Sequence, residues 1–338
     1  MKNILLIATG GTIASKDNGN GLTPLIDVNV LLDYIPVIRQ KCHVTGISLM
    51  NIDSSNMDTS HISSISECIM NNYNDYDGFV ITHGTDTCAY TAAALSYQLI
   101  NLSKPVILTG SQLPIDVEKT DAVMNLTNAF IYSCEDISGV FLAFSEKLIK
   151  GTCAKKIKTK SFDAFESMNF PELAIIRDNR IIRYFPYIAA IRNNIVKYNI
   201  NTIQNIMTSD NGFHIKTDMC TDIAVIRLFP GMNYNIFDYL NSSCRGVIIE
   251  GFGIGGMPDN ITEHIHRLTV NGICVVVTTQ CLYEGVNWEI YEVGRNLTKE
   301  NVINGKSMTI ENLTMKLMWS LAHYKNITDI KDFMEKEL

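Results

Sequence analysis

The sequence has no uninterrupted apolar run near the roughly 20 residues that a helix needs to cross a bilayer. Its start, MKNILLIATGG, holds one lysine and a short apolar stretch at 4–8. A secretory signal peptide has a longer apolar region, of roughly 7 to 15 residues. We therefore interpret the start as a strand, and the two absences together favour a cytoplasmic protein.

The sequence also has no CxxC pair and no dense block of lysine and arginine. Its nine cysteines are scattered and odd in number, which argues against a disulfide framework and a zinc site and favours a reducing compartment. The formal net charge is -7, whereas nucleic-acid affinity rests mainly on neutralising phosphates. We expect a small-molecule partner, with no nucleic acid, membrane or metal.

The length of 338 residues exceeds what one compact core usually holds and suggests two domains. Hydrophobic residues make up 46% of the chain and charged residues 19%, which is the composition of a folded globular protein. Intrinsic disorder is therefore the class that the composition supports least.

Short apolar runs alternate with longer helical patterns along most of the chain. Strands are predicted at 4–8, 44–50, 79–81, 105–108 and 140–144, and the helices among them at 30–39, 57–73, 87–100 and 121–133. A second series has strands at 223–229, 246–250 and 273–278 and helices at 235–240 and 261–270, and two late helices close the chain. Repeated strand and helix order predicts a doubly wound, mainly parallel sheet.

The domain boundary is predicted in a segment rich in Asn, Thr and Ser, where the periodicity is weak. We expect a larger N-terminal catalytic α/β domain at 1–192, a connector at 193–218, and a smaller C-terminal α/β domain at 219–338.

Hydroxyl side chains collect where four predicted strands end. The stretches are TGGT at 9–12, NIDSS at 51–55, THGTDT at 82–87 and TGSQ at 109–112. Helix capping and turn formation explain any one of them. In an open parallel sheet, however, the carboxyl ends of the strands meet at one edge, where ligands bind. The four stretches together therefore predict a shared site.

The chemistry of these stretches suits a small zwitterion better than a nucleotide. TGGT lacks the third glycine of GxGxxG and the GK[ST] ending of a phosphate loop. The carboxylate of Asp86 suits an α-ammonium group, and Ser54, Ser55 and nearby backbone amides suit an α-carboxylate. An amino acid carries both charged groups, so these stretches favour an amino acid as the ligand.

Two of these stretches carry a resemblance to a known family. TGGTIAS and VITHGTDTCAYTAAALS resemble the two signature stretches of bacterial L-asparaginases, the threonine amidohydrolases. The similarity extends through MNIDSSNM, KPVILTGSQLP, SFDAFES, VIIEGFGIGGMP and TTQCLYEG, so it covers nearly the whole chain and favours the cytoplasmic type I branch.

The resemblance implies four catalytic residues and a set of substrate contacts. The nucleophile corresponds to Thr12, and the second threonine, the aspartate and the lysine correspond to Thr85, Asp86 and Lys156. Lys155 is adjacent, and the spacing to SFDAF at 161–165 selects Lys156. The substrate-binding positions, some of them shared with the catalytic set, correspond to Asp53, Ser54, Ser55, Thr85 and Asp86.

The chemistry that these residues imply is hydrolysis of L-asparagine to L-aspartate and ammonia, with no metal or cofactor. A threonine hydroxyl is a weak nucleophile and needs a base. We expect Lys156 to serve Thr85, Thr12 to attack the amide carbon, and water near Thr85 to release aspartate. The alternative order, in which water held at Thr85 attacks directly and Thr12 only polarises the amide, stays open.

One position departs from the family pattern. Asparaginases commonly carry a tyrosine in the loop after the first strand, and Leu22 stands at the corresponding position. A leucine side chain cannot relay a proton, so another group or the substrate must activate Thr12.

The resemblance also implies a homotetramer built from dimers, in which a partner's C-terminal domain completes each site, with Glu284 or Glu289 as candidate groups.

Three alternatives to an asparaginase remain. One is a glutamine-preferring amidohydrolase, because one methylene changes specificity by only about 1 to 3 kcal/mol. Another is the amidotransferase subunit that supports glutaminyl-tRNA synthesis, which carries an extra preceding domain and which we disfavour because Thr12 is close to residue 1. The third is a non-catalytic amino-acid sensor.

Overall fold

The computed structural model describes residues 1–17, 19, 21–24, 26–178, 180–184, 212–288 and 301–336, with backbone only at 17 and 22–24. The chain forms two compact units, Met1–Thr217 and Asp218–Leu338. Most of the predicted connector at 193–218 lies outside the described residues, so the predicted boundaries stay a prediction. Its described end, 212–217, belongs to the first unit.

The first unit holds fourteen strands and four helices among its described residues. The strands are β1 Lys2–Gly10, β2 Ser15–Asp17, β3 Leu22–Pro24, β4 Cys42–Ile52, β5 Gly78–Thr82, β6 Leu99–Ile100, β7 Pro105–Thr109, β8 Gly139–Phe144, β9 Lys147–Lys150, β10 Ala154–Lys156, β11 Phe165–Ser167, β12 Ala174–Arg177, β13 Arg180–Arg183 and β14 His214–Ile215. The helices are α1 Val28–Asp33, α2 Thr59–Asn72, α3 Cys88–Gln98 and α4 Ala122–Ser133.

Eight of these strands form one sheet in the order β13-β12-β9-β8-β7-β5-β1-β4. The strands from β8 to β4 are parallel, whereas β9, β12 and β13 extend the sheet antiparallel. Every residue of β5, β7 and β8 is buried, as expected for parallel strands that are covered on both faces. The predicted mainly parallel sheet is confirmed.

The antiparallel extension begins at a turn that the periodicity did not reveal. Ser145 and Glu146 connect β8 to β9, and both have positive φ, 47° and 71°. Two such residues form a tight hairpin whose twist matches that of the flanking strands. The chain therefore reverses after β8 instead of entering another crossover helix.

The helix predicted at 30–39 is also different in the structure. Helix α1 ends at Asp33, and a separate 3-10 turn covers Pro36–Gln40. Proline has no backbone N–H and disfavours helical geometry in the residue before it, so Pro36 begins a new turn.

The second unit is a smaller α/β layer structure. Its described strands are β15 Ile223–Arg227, β16 Gly246–Gly251, β17 Cys274–Thr279 and β18 Ile303–Asn304, all parallel. Its described helices are α5 Ile236–Ser243, α6 Thr262–Val270, α7 Ile310–His323 and α8 Ile327–Glu335.

Alternating side chains of the second sheet enter two separate cores. Val247 and Ile249 of β16 pack with residues of α5 and α6, whereas Ile248 packs with residues of α7 and α8. Since neighbouring side chains of a strand point to opposite faces, helices cover both faces of this sheet. Among the helices of the described ranges, none is long and apolar enough to span a membrane.

Candidate active site

The four hydroxyl-rich stretches follow strands that are neighbours in the large sheet. Strands β4, β1, β5 and β7 are adjacent and parallel, so their carboxyl ends lie along one edge. The His83 backbone N–H donates to the Thr109 carbonyl at 2.8 Å and ties the last two stretches together. The predicted convergence of the loops is therefore present in the backbone.

Two consecutive glycines let the loop after β1 lie directly against its neighbours. Gly10 and Gly11 have φ of 100° and 74°, and the Gly11 N–H donates to the Ile52 carbonyl at 2.9 Å. A Cβ on Gly10 would lie 2.6 Å from Ile52 N, and a Cβ on Gly11 would lie 2.5 Å from Gly84 Cα. These positions need glycine for both the φ angle and the space.

The contact between Gly11 and Gly84 is important for the two catalytic candidates. Thr12 follows Gly11 directly and begins a short 3-10 turn, Thr12–Ala14, and Thr85 follows Gly84. The backbone segments that lead into Thr12 and Thr85 therefore lie next to each other, one in the loop after β1 and the other in the loop after β5. Thr12 is half-buried and Thr85 is buried.

Lys156 reaches the loop after β5 from a separate strand, β10. Its Nζ donates to Thr85 Oγ1 at 2.7 Å and to Asp86 Oδ1 at 2.7 Å. The Lys156 side chain is 18% exposed and that of Asp86 is 65% exposed. Since neighbouring residues of a strand point to opposite faces, Lys155 cannot make these contacts from the same backbone.

The Thr85 hydroxyl also has a hydrogen-bond acceptor. It donates to Gln112 Oε1 at 3.4 Å, and Gln112 Nε2 donates to the Ser161 carbonyl at 3.1 Å. Gln112 belongs to the TGSQ stretch, but the sequence did not single out its side chain. Its contact with Thr85 depends on how two distant loops meet.

A buried carboxylate, which the sequence also did not reveal, supports that loop. Asp121 is 2% exposed and accepts hydrogen bonds from the backbone N–H groups of Gln112 and Leu113, at 3.0 to 3.1 Å, and from the Asn125 side chain at 3.1 Å. Burial raises the pKa of Asp121, and the hydrogen bonds oppose that shift. The sequence placed it only at the start of a predicted helix, 121–133.

The three substrate-binding candidates after β4 differ in exposure. Asp53 and Ser55 are exposed, whereas Ser54 is 4% exposed. The Asp53 carboxylate accepts from the Ser55 N–H and hydroxyl, each at 2.8 Å, and these bonds hold the pKa of Asp53 below its usual value. A Cβ on Gly84 would lie 2.5 Å from Ser54 Oγ, so the Ser54 hydroxyl lies against the residue before Thr85.

His83, within the signature stretch, is fully buried and supports the backbone. Its Nδ1 lies 2.7 Å from the Gly84 carbonyl and its Nε2 lies 2.9 Å from Thr91 Oγ1. Burial lowers the pKa of His83 to about 4. A neutral ring that donates to Gly84 and accepts from Thr91 satisfies both nitrogens.

For the remaining candidates, Leu22, Glu284 and Glu289, the structure describes fewer details or none. The Leu22 backbone belongs to β3, which pairs with β2, and its side chain lies outside the description. Glu284 follows β17 with a φ of 74°, and Glu289 lies outside the described residues. Their predicted roles stay predictions.

Comparison with known proteins gives the class of protein. Residues 3–187 match the family described as asparaginase, N-terminal, and residues 222–334 match the glutaminase/asparaginase C-terminal domain. The protein is therefore an amidohydrolase enzyme. The two matches extend over both units, and the chain belongs to the asparaginase family.

Several proteins resemble the whole chain. An L-asparaginase of Thermococcus kodakarensis is 32% identical over 99% of this chain and 97% of its own. The solved structure of the thermostable L-asparaginase from Thermococcus kodakarensis has a TM-score of 0.88 at 31% identity and covers 99% of this chain and 97% of its own. L-asparaginase I of Vibrio cholerae has a TM-score of 0.83 at 29% identity and covers 100% and 98%. A glutamyl-tRNA(Gln) amidotransferase subunit of Pyrococcus abyssi is 32% identical over 99% of this chain and 75% of its own.

Proposed function

We propose that the protein hydrolyses L-asparagine to L-aspartate and ammonia, with Thr12 as the nucleophile. The observation that carries this proposal is the hydrogen bonding of Lys156 Nζ to both Thr85 Oγ1 and Asp86 Oδ1. A sensor that only binds an amino acid needs the carboxylate but has no use for an amine held against a hydroxyl. An amidohydrolase needs a group that takes a proton from an attacking oxygen.

In the first half of the proposed reaction, the Thr12 hydroxyl attacks the side-chain amide carbon of asparagine. The C–N bond breaks, the nitrogen takes up the proton that the Thr12 hydroxyl loses and leaves as ammonia, and the acyl group stays on Thr12 as an ester. Backbone N–H groups around Thr12 and Thr85 would hold the negative charge that develops on the amide oxygen. Such a donor is typically worth on the order of a hundredfold in rate.

In the second half, water held at Thr85 attacks the ester, and the bond to Thr12 breaks to release aspartate. Lys156, whose Nζ contacts the Thr85 hydroxyl, acts as the group that accepts the proton. The substrate's α-ammonium group pairs with Asp86, whose side chain is open to a ligand at 65% exposure. Asp53, Ser54 and Ser55 complete the site near the α-carboxylate.

Several finer assignments belong to the same proposal. The protein is a cytoplasmic, type I enzyme that assembles as a tetramer of two dimers. It works without metal or cofactor, and the catalytic domain comprises residues 1–192. The 2.7 Å contact between Lys156 and Thr85 supports a hydroxyl-and-amine mechanism for such an enzyme.

The deciding experiment measures ammonia release from asparagine and from glutamine by the native chain, by Thr12→Ala and by Thr85→Val. We expect asparagine to be the better substrate and both variants to lose most of their activity. Faster release from glutamine would reassign the substrate, and binding without ammonia would indicate a sensor. A Thr12→Ala variant that keeps most of its rate would show that water attacks directly.

The lysine assignment has its own matched pair of variants. Lys156→Met removes the amine from Thr85 and should lower kcat by roughly 10²- to 10⁴-fold, as expected for a general base. Lys155→Met changes the adjacent residue of the same strand and should retain near-native kcat. Equal losses in both variants would contradict the role of Lys156.

A further inference from the structure

Two cysteines that are distant in the sequence lie at one end of the first unit. Cys42 begins β4, and Cys134 follows the last residue of α4. Cys42 belongs to the hydrophobic core cluster that also contains the inner face of α4, and Cys134 packs against the same cluster. The opposite end of β4, some 33 Å away at roughly 3.3 Å per residue, leads to Asp53 and the candidate active site.

Several contacts independently bring these cysteines together. Lys2 of β1 pairs in register with Cys42, and its Nζ donates to the Glu135 carbonyl at 3.2 Å and to Asp136 Oδ1 at 2.6 Å, the two residues after Cys134. The turn Pro36–Gln40 that leads into β4 packs against α4. The Cys42 thiol donates to the Ile38 carbonyl at 3.9 Å, and the Cys42 and Cys134 thiols lie close enough to shift each other's pKa.

The surroundings make the two thiols unequal. The neighbouring Cys42 thiol, with smaller contributions from the Ser133 hydroxyl and the Lys2 and Lys41 ammonium groups, lowers the pKa of Cys134 despite partial burial. The interaction with Cys134 and burial raise the pKa of Cys42, which is 1% exposed. Cys134 is half-buried, so a small reagent can reach it.

The nearby acidic groups are already paired. Asp136 forms an ion pair with Lys2, and Glu135 forms one with Arg183. Their negative charges are therefore partly balanced at the place where a thiolate would form. By contrast, burial raises the pKa of Cys88 and of Cys274 to about 12, which keeps those thiols protonated and unreactive at neutral pH.

We propose that Cys42 and Cys134 are a reversible thiol–disulfide site, in which Cys134 attacks an oxidant and Cys42 resolves the product. The oxidant is a small-molecule disulfide of the glutathione class. The Cys134 thiolate attacks one of its sulfurs, the S–S bond breaks, and one small thiolate leaves.

The second step closes the cross-link within the protein. The Cys42 thiol gives its proton to the departing group as its sulfur attacks Cys134 Sγ, and the second small thiol leaves. The protein loses two electrons and two protons in total, and the small disulfide is reduced to two thiols. The new bond ties the start of β4 to the end of α4.

The test treats the full chain with oxidised glutathione, blocks the remaining thiols with N-ethylmaleimide and maps the peptides by mass spectrometry. We expect a peptide cross-linked between Cys42 and Cys134 that dithiothreitol separates, and a higher Tm for the oxidised protein because a cross-link over a long loop restricts the unfolded chain. Glutathione adducts at the exposed Cys281 without this cross-link would overturn the proposal.

Two variants separate the roles of the thiols. In Cys42→Ala the second step is impossible, so Cys134 should keep a glutathione adduct. In Cys134→Ala, Cys42 should stay unmodified, because it is buried and protonated. An adduct on Cys42 together with none on Cys134 would refute the assignment of the attacking thiol. The native protein's cross-link alone decides the main proposal if either variant fails to fold.

Discussion

Replacing Gly11 by alanine tests whether the contact between two loops sets the catalytic geometry. The added Cβ would lie 2.5 Å from Gly84 Cα, whereas ordinary van der Waals contact begins at 3.4 Å. Both groups are backbone, so neither can rotate away. The loop that carries Thr12 must therefore move by about 1 Å relative to the loop that carries Thr85.

A displacement of about 1 Å at reacting groups can cost on the order of 10²-fold in rate, which corresponds to about 2.7 kcal/mol of activation free energy. Alanine at a φ of 74° and a ψ of -178°, a region that glycine almost alone adopts, also costs on the order of 1 to 3 kcal/mol in stability. We expect Gly11→Ala to lower kcat about 100-fold while the protein stays folded.

The control variant is Gly272→Ala in the second unit. Gly272 has nearly the same φ, 79°, but a Cβ there would have nothing within 4 Å. It therefore shares the positive φ without the clash. The assay is the kcat for ammonia release from the preferred amide, with thermal unfolding of both variants. A Gly11→Ala variant that keeps a third or more of native kcat would show that the loop contact does not position the threonines.

Three further predictions concern polar side chains and their surroundings. Burial lowers the pKa of His83 to about 4, whereas the pKa in the unfolded chain is about 6.5. Between these pH values the unfolded chain binds a proton that the folded protein does not, so the folded state loses stability as the pH falls. This residue should therefore make the free energy of unfolding about 2 kcal/mol lower at pH 5 than at pH 7. Urea titrations at both pH values should show that His83→Gln loses that difference. Lys316 is 0% exposed and donates to carbonyls at the end of α8. Lys316→Met should therefore lower the free energy of unfolding, measured by urea titration, by about 2 to 3 kcal/mol. The control, Lys325→Met, changes an exposed lysine and should leave the free energy of unfolding near the native value. Gln112→Leu removes the acceptor of the Thr85 hydroxyl and should lower kcat about fivefold with little change in KM. A change in KM alone would contradict the idea that Gln112 positions this hydroxyl.

Much of the fold was predictable because each strand and helix of a parallel α/β unit carries a local signal. Fully buried strands such as β5 appear as unbroken apolar runs, and the helices between them have apolar faces of helical period. The strands from β9 to β13 were not predicted. They depend on positive φ angles at Ser145 and Glu146, which residues of these types adopt only where the surrounding structure requires it.

In the candidate site, too, some features were predictable from the sequence and others were not. The hydroxyls at four strand ends were predictable, because adjacent parallel strands end at one edge of a sheet whatever their side chains are. The contacts of Gln112 and Asp121 were not, because each joins groups from separate loops or from a loop and a helix. The same holds for Cys42 and Cys134, whose thiols meet only after β4 and α4 have packed.

The sequence by itself determined which chemical groups are present, that they follow strands, and that glycines lie in three of the four stretches. For the lysine it offered only the family spacing to SFDAF, which selects Lys156 over the adjacent Lys155 without a physical reason. The tertiary structure supplies such a reason, because the pleat of a three-residue strand turns Lys156 towards Thr85 and Asp86 and its neighbour away. Side-chain direction depends on the partner strand and on packing, and no local sequence signal contains that information.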